Sequence, residues 1–137
     1  MDTNSFTMYL TLIVIVVLIF RNIYQQIALL RAKSKGAIYH KITSEDAKYM
    51  IDDDRSLVII DVRTPNEFKS GHIKKAKNIA NINSIVNKYP NKNTKILINC
   101  ASGSRSIKAA KKLVIKGYKE VYDIGGLSSW KYGTVKN

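Results

Sequence analysis

The first apolar positions of the chain come as one unbroken block. Residues 6–20, FTMYLTLIVIVVLIF, carry no charge. With Asn4, Ser5 and the flank through Tyr24 they supply a helix of roughly 20 residues, enough to cross the hydrocarbon core of a bilayer over about residues 5–24. Arg21 can lay its stem along lipid and lift its guanidinium to the interface. In the following RNIYQQIALLRAKSKGAIYH, Ile23, Ile27 and Leu30 recur at helical spacing, which reads either as a juxtamembrane helix emerging along the membrane surface or as a simple spacer. The KSKG stretch, residues 33–36, divides an anchor region, 1–35, from a folded domain, 36–137.

Beyond Lys41 the pattern changes to short apolar runs alternating with helical periods. Thr43, with Asp46 three residues on, reads as a capped helix start, followed by Ala47, Met50 and Ile51 on one face. SLVIIDV, residues 56–62, and KILIN, residues 95–99, are β-branched runs of the kind buried on both faces of a parallel sheet. A weaker strand is predicted at residues 76–80 and a last one at 120–124. Between them lie a short helix opened by Pro65, another ended near Pro90, and SIKAAKKLVIKGY, which turns Ile107, Ala110, Leu113 and Val114 inward and stops at Gly117. This alternation predicts an α/β domain with an open, mainly parallel sheet flanked by helices and joined by right-handed crossovers.

Charge and composition narrow the function. The chain has 137 residues and a formal charge of +13. Its lysines are scattered, with no dense run and no aromatic interleaving, which argues against nucleic-acid binding and for a solvated surface. Attraction to anionic headgroups becomes relevant only if the chain is held at a membrane. The block's N-terminal flank holds Asp2 and no Lys or Arg, and no small-x-small site follows the block, which favours an anchor over a cleaved signal peptide. Arg21, Arg31, Lys33 and Lys35 all follow the block, so the positive-inside rule puts the N-terminus outside and the domain in the cytoplasm. A single cysteine and two histidines leave no internal disulfide and no metal site of the usual Cys/His type, and nothing calls for a cofactor.

That cysteine is the candidate chemistry. Cys100 follows KILIN, at the carboxyl end of a strand, where ligand sites of open α/β sheets lie. The next four residues, Ala101, Ser102, Gly103 and Ser104, are all small, so the loop can curl and turn its N–H groups inward, while the helix behind it adds the positive end of its dipole. Arg105 adds a fixed charge and a fork of donors able to hold an oxyanion beside the sulfur. These features favour the thiolate over the thiol and make Cys100 a candidate nucleophile of lowered pKa.

Three stretches, DVRTPNEFKSGHI (61–73), CASGSR (100–105) and GGLSSW (125–130), in this order and spacing, resemble the signatures of single-domain rhodanese-like sulfurtransferases, over about residues 39–131. The resemblance implies a cycle in which Cys100 takes sulfane sulfur from a small anionic donor such as thiosulfate, or from a persulfide, holds it as a persulfide, and passes it to a thiol, a protein cysteine or another nucleophile. It implies that Ala101, Ser102, Gly103 and Ser104 bind the substrate, that Arg105 guides the donor, and that Asp61 and Arg63 act as a supporting charge pair. Glu67 and His72 are read as structural too, since a thiol activated by amides needs no partner base. Gly125, Gly126 and Trp130 are expected to close the loop, the indole as a lid. Lys75 stands where the family usually has glycine, and Ala80 where it often has proline. Two other readings stay open: a membrane-tethered module that keeps the fold without transferring sulfur, and a cysteine phosphatase or arsenate reductase. The latter is disfavoured because four residues rather than five separate Cys100 from Arg105, a narrow ring for a tetrahedral anion.

Overall fold

The computed structural model describes residues 3–136. Met1 and Asp2, at the start of the expected anchor region, and Asn137, at the end of the expected domain, lie outside the described residues. The uncharged block and the stretch after it form one helix, α1 (Thr3–Ser34). Its 30 residues Asn4–Lys33 are long and apolar enough to cross a membrane. Near its C-terminal end α1 also packs on the domain. Ile23, Ile27 and Leu30 stay exposed, while Leu29 and the buried Ala32 pack on the core.

Next come β1 (Ile38–Lys41), α2 (Ser44–Asp53), β2 (Val58–Asp61), α3 (Pro65–Lys69), β3 (Lys77–Asn78), α4 (Ile82–Lys88), β4 (Ile96–Cys100), α5 (Ser104–Ile115) and β5 (Glu120–Gly126), closed by a 3-10 turn at Leu127–Ser129. Two helix starts are fixed by reciprocal capping. Thr43 and Asp46 open α2, and Thr64 and Glu67 open α3 with Pro65 in its first turn. The sheet is five-stranded and parallel throughout, in the order β1-β5-β4-β2-β3. Strand β1 escaped the sequence pattern because it is a four-residue edge strand whose Ile38 is half exposed. The weak third strand shrinks to two residues, and the last one runs on to Gly126.

Strand β4 lies at the centre and is buried at all five positions. On one face Ile60, Ile96, Ile98 and Cys100 pack against Ala109, Ala110, Leu113 and Val114 of α5 and Ile85 of α4. On the other, Ile59, Leu97 and Ile124 pack with Ala47 of α2 and with Ile73. Each fully buried Ile, Leu or Val among them contributes roughly 1.5 to 3 kcal/mol. Ile107 is only half-buried and lines a cleft toward α1, while Ser106 takes an inward place on α5 beside Ala109 and Ala110. The result is a rigid strand end at β4 with α5 clamped behind it.

Candidate functional site

The last residue of β4 is Cys100, which has no solvent exposure and shares the face of the sheet covered by α5. Behind it the chain turns through Ala101 and Ser102 to Gly103, whose φ of +107° lies in the left-handed region that only glycine enters freely. That turn aims the Gly103 N–H at the sulfur, 3.0 Å from Sγ. Helix α5 begins at Ser104, one residue earlier than the loop pattern suggests, so Ser104 and Arg105 belong to its first turn.

Burial pushes the Cys100 thiol up. Hydrogen bonding from Ser106, through its hydroxyl and its N–H, and from the N–H groups of Gly103 and Arg105 acts the other way and prevails, leaving the thiol below its ordinary range. The Ser106 hydroxyl is fully buried and rests 3.0 Å from the Gly103 carbonyl and 3.3 Å from that of Gly125. It has one proton to give, and a thiolate is a stronger acceptor than either carbonyl, so ionisation of Cys100 draws that proton to the sulfur. Ser106 is the residue the sequence reading passed over. Its only sequence signal is a serine two residues into the helix, where a hydroxyl can reach back toward the loop.

The loop is backed by the end of β5. A methyl group on Gly126 would come within 2.5 Å of the Ala101 carbonyl oxygen and 2.8 Å of Ser102 Cα, so the loop backbone lies directly across this glycine. Gly125 is held by its N–H, which donates to Asp123 Oδ1 at 2.8 Å. The buried Asp123 also receives the Tyr39 hydroxyl at 3.0 Å and pairs with the Lys41 ammonium at 3.5 Å. Burial, then the charge of Asp123 and its hydrogen bond, push the Tyr39 hydroxyl up to about 12. The strand missed in the sequence thus steadies the floor of the cysteine loop.

Arg105 reaches the Glu67 carboxylate with both guanidinium arms, at 2.8 and 2.7 Å. Glu67 is held far below the usual carboxylate range, first by Arg105 and then by the backbone and hydroxyl of Thr64. The expected guide for an anion therefore sits in a charge pair at the rim, with its side chain about two-fifths exposed. Asp61 and Arg63 form a second, buried pair at 2.7 Å, and Arg63 also donates to the Gly71 carbonyl at 2.7 Å. Asp61 lies beside Asn99 on the neighbouring strand, and the pair ties the end of β2 to the turn after α3.

The structure thus brings Cys100, Gly103 and Arg105 together with Ser106, while Ala101, Ser102 and Ser104 form the outer wall of the loop, Ser102 and Ser104 exposed. His72 stacks on Phe68 at 3.7 Å with Nδ1 2.9 Å from the Phe68 carbonyl. Trp130 packs with the core on the opposite face of the sheet, and its indole N–H donates to Gly133, so it is no lid over Cys100. Lys75 adopts φ +70°, keeping the turn a glycine would make.

Residues 43–132 match the rhodanese-like domain family. The chain is 39% identical over 83 residues to thiosulfate sulfurtransferase 18 of Arabidopsis thaliana, a match covering 49% of this chain and 60% of that protein. It is 35% identical over 82 residues to the thiosulfate sulfurtransferase GlpE of Pseudoalteromonas translucida, covering 58% of this chain and 77% of the relative. The fold is similar to that of the crystal structure of a rhodanese-like domain protein from Staphylococcus aureus, with a TM-score of 0.60 and 32% identity over 72% of this chain and 98% of that one.

Proposed function

We propose, from the premise that this chain belongs to the rhodanese-like domain family, that it is a sulfurtransferase whose Cys100 carries the sulfur. The observation that supports this most directly is the Gly103 N–H aimed at the Cys100 sulfur at 3.0 Å, in a loop where hydrogen bonding from Ser106, Gly103 and Arg105 holds the thiol below its ordinary range. Such donors stabilise a charged sulfur at the loop and then at the end of a persulfide.

The Cys100 thiolate attacks the sulfane sulfur of thiosulfate. A new S–S bond forms, the old one breaks, and its electron pair departs with sulfite. The outer sulfur of the persulfide then bears the negative charge and takes over the amide bonds. A thiolate or cyanide attacks that outer sulfur, the Cys100–sulfur bond breaks, and its electrons restore the Cys100 thiolate. Arg105, at the rim, draws the anionic donor in when its guanidinium turns from Glu67. Because Cys100 is fully covered, entry of the donor is coupled to an opening of the site.

The same reading places α1 across a membrane with the domain on the cytoplasmic face. It is supported by the cations Arg21, Arg31, Lys33 and Lys35 that follow the apolar run. The test is thiocyanate formation from thiosulfate and cyanide by the full chain in detergent. The reading expects turnover that Cys100→Ser abolishes and Arg105→Gln weakens mainly through KM. A folded full chain that forms no thiocyanate from thiosulfate or from a persulfide donor would leave the tethered binding module as the better account.

A further inference from the structure

Helix α1 does more than reach the domain. Along its second half it runs beside α5 in the same direction, leaving a cleft of about 780 Å³ between Leu18, Arg21 and Gln25 on one side and Ser104, Lys108 and Lys112 on the other. Farther on, Ala28 and Ala32 come level with Ile115 and Gly117. The first turn of α5, and with it the loop of Cys100, is therefore at the end of the domain nearest the apolar block.

Four cations face this cleft, Arg21, Lys108, Lys111 and Lys112, and no carboxylate lines it. All four are exposed, and among the described residues none of them forms an ion pair. Between the cations the walls carry apolar Leu18, Ile107 and Ile115 beside polar Asn22, Gln25 and Ser104. Leu18 continues directly into the exposed apolar surface of α1. A ligand that suits this cleft has a negative head for the lysines and a hydrocarbon tail that follows Leu18 along α1. A free phosphate satisfies only the first requirement.

We propose that the α1–α5 cleft binds the phosphate headgroup of an anionic membrane phospholipid and so seats the cysteine loop against the bilayer. The proposal rests on the reading of α1 as a membrane anchor. With residues 6–20 in hydrocarbon, Arg21 lies at the interface, and Lys108, Lys111 and Lys112 lie beside it at headgroup depth, where each cation is attracted by an anionic surface.

The experiment uses the full chain. Vesicles carrying it are first washed at alkaline pH. Release into the supernatant would overturn the anchor, and the proposal with it. With the protein retained, native mass spectrometry from detergent supplied with equal phosphatidylglycerol and phosphatidylcholine reads the cleft itself. The expected result is one retained phosphatidylglycerol, reduced roughly tenfold or more in a Lys108→Gln, Lys111→Gln, Lys112→Gln variant of unchanged helicity. Equal retention of both lipids, or undiminished retention by the variant, would overturn the proposal while leaving the anchor standing. Complete displacement by millimolar inorganic phosphate would overturn it too, by making the cleft a site for the free ion.

Discussion

At the scale of single residues, the chemistry turns on how much a buried sulfur gains from its donors. Burial raises the Cys100 thiol, and Ser106, Gly103 and Arg105 lower it by more. A lowered thiol pKa means more thiolate at neutral pH, so the rate of alkylation by iodoacetamide should rise with pH and level off at an inflection below the roughly 8.5 of a free cysteine. The absolute rate should still be low, because the sulfur is covered; the position of the inflection carries the information. Ser106→Ala removes the hydroxyl and moves that inflection upward, and an unchanged inflection would take the hydroxyl, though not the Ser106 N–H, out of the site. Lys75 tests a different point. Its φ of +70° is costly for any residue with a Cβ, so Lys75→Gly should raise stability by about 0.5 to 1 kcal/mol in urea unfolding. The cysteine, its small-residue loop and its arginine were legible in the sequence because they lie together in the chain. Ser106 and the Glu67–Arg105 pair were not, since a hydroxyl's direction and a contact across 38 positions are set by packing.

Among the elements, the end of β5 is the support on which the cysteine loop rests. The strand slips register against β4 between Ile98 and Asn99, which pairs Cys100 with Gly126 and brings the loop across a residue without a side chain. Gly126→Ala should push the Ala101 carbonyl and Ser102 aside. We expect kcat to fall by on the order of a hundredfold from misplacing the loop and stability to fall by about 1 to 3 kcal/mol. Wild-type kinetics in this variant would show that the loop does not need the β5 floor. The central strands and α5 could be read from hydrophobic pattern because both are buried along a full face. Strand β1 could not, since an exposed edge of four residues carries too little pattern. Yet its Tyr39 and Lys41 reach Asp123 and through it the Gly125 backbone. The packing of α1 on the domain left no sequence signal for a related reason: several faces of that helix are apolar, and only the docking of α5 decides that Leu29 and Ala32 turn inward.

Taken whole, the molecule is a rhodanese-like domain carried on a long apolar helix that lies along α5, the helix that also presents the cysteine loop. Held at a membrane in this arrangement, the site should sense the surface beneath it. A surface potential of about −30 mV depletes a divalent anion roughly tenfold near the bilayer. The KM for thiosulfate should therefore rise by up to about tenfold from zwitterionic to anionic vesicles, recover at high salt, and stay nearly constant for an uncharged donor. A KM indifferent to the lipid would mean that the loop faces away from the surface. All of this depends on Cys100 carrying sulfur, and the most direct test is the intact mass of the full chain after incubation with thiosulfate, beside Cys100→Ser. The account predicts a gain of one sulfur atom, reversed by cyanide or a thiol and absent from the variant. A folded, reduced protein whose mass does not change, or a gain that persists in Cys100→Ser, would contradict it.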